Sequence, residues 1–366
     1  MLKTRLFIAL CVIFFTTIDP LSISAQNYAR IDSLAINAPS FASQTMVDLS
    51  AYCEANAYSE AEKVRFYFVW IARNIHYDDR TYAFYRQNAD YDVARQSVSV
   101  VFTQHKAVCR GYALMLERLC KQSNIAVRYV AGYGKSTLTN DHIEPHAWNI
   151  IRIDGQWSLY DVTWASNSLR DDSTDLTPQF EKWFKSAPDY FAQQHWSYDP
   201  IFQLTKDLTS RNDFLGYTEG APTPQLNFDI EATLNAENVL DSLEATWRSY
   251  SRAHLFSPMD SLVAQKLARA QDEKAKAAIE PAESFFKNEY PRRSELTVQE
   301  LENWRSRLEN LRNPIAESLL LHHEIDDLPI SAKDLAIVQK NRRRLVALSQ
   351  FVPVMIQALQ TEIHAR

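Results

Sequence analysis

The chain has 366 residues, of which 46% are hydrophobic, and its formal net charge at pH 7 is -6. This length exceeds what one hydrophobic core usually supports, so we expect two domains. The charge excludes the basic type of nucleic-acid-binding protein. We also expect no cofactor and no metal.

The first 25 residues are typical of a secretory signal peptide. Lys3 and Arg5 form a positive start, residues 6–15 are apolar, and Ser22 to Ala25 supply small residues for cleavage. An uncleaved membrane anchor is the alternative, although the apolar stretch is too short to span a bilayer. We therefore predict export to the periplasm or the cell exterior, with cleavage after Ala25 and no stable membrane span in the mature protein.

Residues 26–219 alternate between helix and strand signals and are expected to form the first domain. Ser59 and Glu62 are typical of a capping box at the start of an amphipathic helix. A further helix should begin at Cys109. A thiol at a helix N-terminus is stabilised as the thiolate by the helix dipole and by a neighbouring imidazolium, so Cys109 is a candidate nucleophile.

A β-hairpin is expected to bring His146 and Asp161 together. Asp154-Gly155 is a strong two-residue turn signal between residues 148–153 and 157–162. Counting outward from that turn makes Asp161 the diagonal neighbour of His146 on one face of the sheet. Diagonal neighbours lie about 7–8 Å apart at the backbone, which an imidazole and a carboxylate can bridge.

A thiol, an imidazole and a carboxylate in this order are the parts of an activated-cysteine acyl-transfer site. The backbone N–H of Cys109 is a candidate oxyanion donor, and Gln104 is a candidate second donor. Tyr112, Trp148 and Trp164 are candidate walls of the substrate groove. His142 and His146 have the spacing of zinc ligands only on a helix, and this segment is typical of strand and loop, so we do not predict a zinc site.

The predicted mature chain keeps three cysteines in an oxidising compartment. On one helix, Cys109 and Cys120 would be about 16 Å apart, which is too far for a disulfide. Any disulfide should therefore join Cys53 to Cys120. The alternative, which we favour slightly, is that both are small buried hydrophobic residues.

After the first domain, residues 220–228 contain Gly220-Ala221-Pro222-Thr223-Pro224 and are predicted to be a linker. Residues 229–366 lack glycine and are predicted to form a domain of four to six helices. Pro314 is expected at the first position of one of them. This helical domain is a candidate surface for a protein partner.

Three segments resemble the motifs of the transglutaminase-like superfamily: Val108 to Ala113, His146 to Asn149, and Asp161 to Trp164. Residues 70–78 and the segment from Phe184 to Leu204, with His195, resemble its kyphoscoliosis-peptidase-like branch, here in a bacterial-type exported member. The resemblance implies an α+β, papain-like core with the cysteine on a helix packed on an antiparallel sheet. It also implies that Cys109 is the nucleophile, His146 the base and Asp161 its orienting partner.

Together these features predict an exported cysteine enzyme that acts on amide bonds of protein or peptide substrates through a thioester, with hydrolysis favoured over amine transfer. A catalytically silent module of the same fold, with partner contacts through the helical half, is the alternative, because one fold hosts many functions.

Overall fold

The computed structural model describes residues 28–87, 96–136, 142–169, 175–216, 229–258, 260–324 and 332–366. The predicted signal peptide and the predicted linker lie outside these ranges. Across the described residues, every helix is either too short or too polar to cross a lipid bilayer.

Ten α-helices precede residue 217 within the described ranges. They are α1 (Ala29–Ile36), α2 (Met46–Asn56), α3 (Glu60–Asn74), α4 (Asp79–Gln87), α5 (Val98–Gln104), α6 (Cys109–Gln122), α7 (Val162–Asn167), α8 (Pro178–Glu181), α9 (Pro188–Phe191) and α10 (Arg211–Leu215). The Ser59 hydroxyl accepts the Glu62 backbone N–H and so caps α3, as the sequence predicts. The segment between α3 and α6 contains α4 and α5.

Two small sheets accompany these helices. β1 (His76–Tyr77) and β2 (Lys106–Ala107) form a parallel pair, and an antiparallel sheet has the strand order β5-β4-β3-β6. Its strands are β3 (Val127–Ser136), β4 (His142–Ile153), β5 (Gln156–Tyr160) and β6 (His195–Ser197). An α+β fold with a helix-borne cysteine beside an antiparallel sheet is therefore confirmed.

The β4–β5 hairpin has the predicted register. Ile153 pairs with Gln156, and Asn149 pairs with Tyr160. Asp154 and Gly155 both have positive φ, 50° and 83°, which is the backbone of the type I′ turns that match strand twist. The local Asp-Gly signal thus sets the pairing of the whole hairpin.

Five α-helices follow residue 229 in the described part of the chain: α11 (Ile230–Glu237), α12 (Ser242–Phe256), α13 (Ser261–Ser284), α14 (Val298–Glu324) and α15 (Ala332–Ala365). Asp229, Asp241 and Asp260 cap the first three through their carboxylates. Pro314 lies inside α14 instead of beginning a helix, so that prediction is wrong. The cap that precedes α14 is Thr297, which exchanges hydrogen bonds with Glu300.

Among the described residues, the hydrophobic core has three parts. The largest surrounds α3, α6 and the sheet, and Leu234 of α11 belongs to it. A second lies among α13, α14 and α15. A third, which we call the junction cluster, joins β6 to α12 and α13 and consists of Trp196, Tyr198, Phe214, Ala253, Phe256 and Val263. The junction cluster ties the helical region to the edge of the sheet.

Candidate active site

Cys109 is the first residue of α6, where backbone N–H groups have no partner within the helix. Its side chain is partly exposed, and Val108 precedes it in an extended conformation. The buried Gln96 side chain accepts the Val108 N–H through Oε1 at 3.0 Å. A Cβ on Gly111 would lie 2.5 Å from that same oxygen, so Gly111 is a packing glycine that lets Gln96 and α6 meet.

His146 lies on β4 opposite Gly132 of β3. Its Nε2–H donates to Asp161 Oδ2 across 2.8 Å, and a carboxylate can only accept, so Nε2 carries the proton. The Cys109 side chain interacts with the same imidazole. The structure therefore brings together the three residues that the sequence selected.

Asp161 reaches His146 in a different way from the one expected. The predicted strand over residues 157–162 ends at Tyr160, and Asp161 is the N-cap of α7. Its Oδ1 accepts the Trp164 backbone N–H at 3.0 Å, which leaves Oδ2 for His146. The hairpin register carries Asp161 to the correct place, and helix capping then fixes the orientation of its carboxylate.

The electrostatics of the pair favour an imidazolium. Burial alone would lower the pKa of His146, but the Asp161 carboxylate and the Cys109 side chain raise it to about 10. Burial would raise the pKa of Asp161, yet His146 and His195 hold it well below its ordinary value. Asp161 is therefore a carboxylate and His146 is protonated at neutral pH.

His195 completes this cluster, and reasoning from the spacing of the motifs missed it. Its Nε2–H donates to Asp161 Oδ2 at 2.9 Å, the same oxygen that His146 uses. Burial lowers the pKa of His195 to about 4, although Asp161 opposes that effect. The only sequence signal was its position in the segment that resembles the kyphoscoliosis-peptidase-like branch, because the pairing of β6 with β3 is remote in sequence.

Aromatic rings enclose the two histidines. Trp164 stacks on His146 with ring centroids 5.1 Å apart, and Phe191 stacks on His195 at 3.8 Å. Trp148 and Trp183 contact His195 from other sides. These rings keep water away from the ion pair, which strengthens its electrostatic interactions.

The structure places the predicted groove walls and the predicted oxyanion donor in different environments. Trp164 is partly exposed beside His146 and fits a wall. Tyr112 and Trp148 are fully buried, and the Tyr112 hydroxyl donates to the Ile75 carbonyl, so both are core residues and their assignment as walls is wrong. Gln104 ends α5 with an exposed side chain, so its oxyanion role stays a prediction.

His146, Asp161 and His195 are also a potential set of metal ligands, with their ligand atoms within 4.8 Å of one another. However, both Nε2 atoms carry protons that they donate directly to Asp161 Oδ2. A metal ion would require both nitrogens to lose those protons. The arrangement therefore fits a hydrogen-bonded cluster better than a metal centre.

Within the described residues, Cys53, Cys109 and Cys120 are all free thiols. Cys53 and Cys120 are buried in the largest core and do not form the disulfide that the sequence left open. Burial raises the pKa of Cys53 to about 12, and burial raises that of Cys120 as well. Both are therefore poor nucleophiles.

Comparison with known proteins gives consistent results. Residues 47–162 match the family model of the transglutaminase-like superfamily. Human kyphoscoliosis peptidase is 28% identical over 207 residues, which cover 54% of this chain and 30% of that protein. The mouse kyphoscoliosis peptidase is 30% identical over 164 residues, 43% of this chain and 24% of that protein. The chain thus spans less than a third of the length of these curated relatives.

Two solved structures are also similar. A TGase aligns with a TM-score of 0.28 and 19% identity, covering 40% of this chain and 35% of that one. A candidate cysteine protease from Cytophaga hutchinsonii aligns with a TM-score of 0.24 and 23% identity, covering 39% of this chain and 45% of that one.

The matched segment contains Cys109, His146 and Asp161, and the relatives at the level of sequence are kyphoscoliosis peptidases. Residues 47–162 thus match the transglutaminase-like superfamily, and the sequence is similar to that of the kyphoscoliosis peptidases.

Proposed function

We propose that this protein is a cysteine-dependent acyl-transfer enzyme that acts on amide bonds of protein or peptide substrates, with hydrolysis favoured over amine transfer. The observation that carries this proposal is the buried His146–Asp161 hydrogen bond of 2.8 Å, together with the interaction of the Cys109 side chain with the same imidazole. This is the arrangement in which an oriented base activates a nucleophile.

In the first half of the reaction, the Cys109 sulfur attacks the carbonyl carbon of the amide. In this mechanism, backbone N–H groups at the start of α6, including that of Cys109, donate to the developing oxyanion. The C–N bond then breaks as the His146 imidazolium gives a proton to the leaving amine. The product is a thioester on Cys109 and a neutral His146.

In the second half, water attacks the thioester. His146 takes a proton from the water, the C–S bond breaks, and the carboxylic acid leaves while the thiolate and imidazolium are restored. An amine in place of water would give an amide and hence cross-linking. The relatives are named as peptidases, and this name supports hydrolysis as the proposed outcome.

Alkylation of Cys109 by iodoacetamide tests the activated nucleophile. The wild-type thiol should react about 10-fold or more faster near neutral pH than an ordinary cysteine, because Cys109 begins α6 and its side chain interacts with the His146 imidazole. The His146→Ala variant should lose this advantage. The buried Cys53 and Cys120 are internal controls and should stay unlabelled in the folded protein.

An ordinary alkylation rate that is the same in both proteins would contradict the proposal and support the silent module. Cys109→Ser and His146→Ala variants with wild-type circular dichroism spectra would exclude misfolding as the reason for any loss.

The fate of the acyl group needs a second experiment. With a casein-like protein as substrate, hydrolysis of peptide bonds creates new α-amino termini, and hydrolysis of side-chain amides releases ammonia. Incorporation of a fluorescent amine reports transfer. We expect new termini or ammonia in excess of incorporated amine, and neither in Cys109→Ser. Incorporated amine in excess would overturn the preference for hydrolysis.

We also propose that the protein is exported, on the strength of its first 25 residues. Fractionation of the producing cell should place the protein in the periplasm or the medium, with Gln26 as its first residue. Retention of the intact N-terminus in the membrane fraction would instead support the anchor.

A further inference from the structure

The proposed chemistry uses only one of the two histidines on Asp161. His195 has a side chain with no exposed surface and donates through Nε2 at 2.9 Å to the oxygen that also accepts from His146. Asp161 and His146 are the titratable groups that interact with it, the Phe191 backbone interacts with it as well, and aromatic rings contact its imidazole. The mechanism leaves this buried donor without a role.

We infer that His195 is a positioning residue for the acyl-transfer site: its Nε2–H holds Asp161 Oδ2 at the point where it meets His146 Nε2. This inference rests on the proposed function. His195 does not touch the reacting atoms in this role. It acts through Asp161, which in turn orients the imidazole that exchanges protons with Cys109 and the substrate.

The chemistry of the two donors supports separate roles. His146 is charged at neutral pH, whereas burial lowers the pKa of His195 to about 4 and keeps it neutral. A neutral His195 donates a hydrogen bond to the Asp161 carboxylate but adds no second positive charge, so the ion pair is formed with His146 alone. Because a carboxylate that accepts more hydrogen bonds is harder to protonate, His195 also keeps Asp161 ionised at low pH.

The fold fixes His195 from both sides. β6 pairs with β3 so that His195 lies opposite Gly134, and a Cβ on Gly134 would be 3.1 Å from that of His146. Phe191 stacks on the imidazole at 3.8 Å. On the following residue, the Trp196 ring packs in the junction cluster. His195 therefore has little freedom to leave Asp161.

The test replaces His195 with leucine, which removes the donor, and with glutamine, whose amide can restore an N–H near the same place. Cys109 alkylation and casein hydrolysis are followed against pH. We expect His195→Leu to lower kcat about 10- to 100-fold, as loss of an outer orienting partner does, with KM little changed. The acid limb of the pH–rate profile of His195→Leu should move to higher pH. His195→Gln should recover most of the rate and the acid limb of the wild-type profile.

Ser197→Ala is the matched control, because Ser197 lies on the same strand and loses a buried hydrogen bond to the Asp199 carbonyl. It should lower thermal stability and leave the acid limb in place. If His195→Leu behaves like Ser197→Ala, or if glutamine restores nothing, the positioning role is overturned.

A measurement that does not depend on catalysis separates this inference from the proposed function. In ¹⁵N spectra of the histidine rings, His195 should be the neutral Nε2–H tautomer from pH 8 down to about 5, because Asp161 accepts that proton. The His146 Nε2–H signal should move in His195→Leu and return in His195→Gln. If the His146 signal moves as expected but no substrate is turned over, the proposed function is contradicted and the positioning role of His195 is not. A His195 ring that is the Nδ1–H tautomer at pH 6, with no proton on Nε2, would overturn the positioning role.

Discussion

Asp161 accepts three hydrogen bonds with its two carboxylate oxygens: one from the Trp164 backbone at Oδ1 and one from each histidine at Oδ2. The side chain is completely buried. A buried carboxylate is costly unless it is hydrogen-bonded and paired with a cation. Both conditions are met here, so Asp161 can keep the charge that sets the pKa of His146.

Substitution of Asp161 tests this control at the scale of one residue. In Asp161→Asn the carboxylate charge is lost and an amide N–H₂ can face both histidine donors. We expect the pKa of His146 to fall from about 10 toward its ordinary value, and kcat/KM to drop by about 10²–10⁴-fold. The pH profile of Cys109 alkylation reports the first effect. Asp213→Asn, which alters an exposed carboxylate, should change neither quantity. An unshifted profile in Asp161→Asn would contradict the assignment.

The buried histidines also predict how stability depends on pH. His195 has a pKa of about 4 when folded and about 6.5 when unfolded. The unfolded chain thus binds the extra proton between these values, and stability is lost as pH falls through this window, by on the order of 3 kcal/mol. His146 has the opposite sign: its raised pKa of about 10 stabilises the fold below pH 6.5, and that contribution disappears as pH rises toward 10.

Denaturant unfolding of the wild type and of His195→Gln between pH 4 and 7 measures the acid part of this dependence. The variant should lose less stability than the wild type on acidification, because its amide does not titrate. Equal losses in the two proteins would show that His195 is not the group responsible.

At the scale of elements, the candidate site is formed by the N-terminal ends of two helices and by a paired strand. Cys109 begins α6, and Asp161 immediately precedes α7. His146 lies on β4 and pairs with Gly132 of β3. The N-terminus of a helix supplies backbone N–H groups without a partner in the helix, and a paired strand fixes the direction of each side chain. The three-residue strand β6 depends on close approach to β3, so Gly132 is a sensitive position.

A side chain at Gly132 should displace β6. The Cβ of an alanine there would lie 2.0 Å from the Trp196 carbonyl oxygen and 2.6 Å from the Trp148 ring. We expect Gly132→Ala to cost about 1–3 kcal/mol of stability and to slow Cys109 alkylation as His195 moves. Gly155→Ala meets only one atom within 4 Å, at 4.0 Å, but strains a positive φ. It should cost about 1 kcal/mol and leave alkylation unchanged. Rapid alkylation in Gly132→Ala would contradict the coupling of β6 to the site.

At the scale of the whole molecule, the helical region is fastened to the sheet by apolar and ionic contacts. Phe256 of α12 packs in the junction cluster beside Trp196 of β6. Nearby, the Arg252 guanidinium pairs with Asp199 and Glu237, and all three side chains are largely buried. The residue that follows His195 is therefore held by the helical region.

Loss of the packing between Phe256 and Trp196 should alter the candidate active site. We expect Phe256→Ala to destabilise the protein by about 3–5 kcal/mol and to slow Cys109 alkylation by loosening β6. Leu345→Ala makes a comparable cavity in the separate core of α13, α14 and α15, and should reduce thermal stability without slowing alkylation. Equal alkylation rates in the two variants would show that the helical region does not support the site.

Local sequence signals were sufficient for much of this protein. The Asp154-Gly155 turn determines the β4–β5 register by itself, because positive φ at both positions allows only a tight, twisted hairpin. The Ser59 cap begins its helix through a hydrogen bond that spans only three residues. The Cys, His and Asp motifs selected the residues that meet, since their chemistry and spacing are properties of the chain.

The tertiary structure decided what depends on distant pairings. Tyr112 is buried because its hydroxyl meets the Ile75 carbonyl of another element, and Pro314 is tolerated within α14. Above all, His195 reaches Asp161 only because β6 adds to β3 across an antiparallel pairing of residues far apart in sequence. The motifs determined which side chains meet at the candidate site, and long-range packing decided which further side chain forms a hydrogen bond to them.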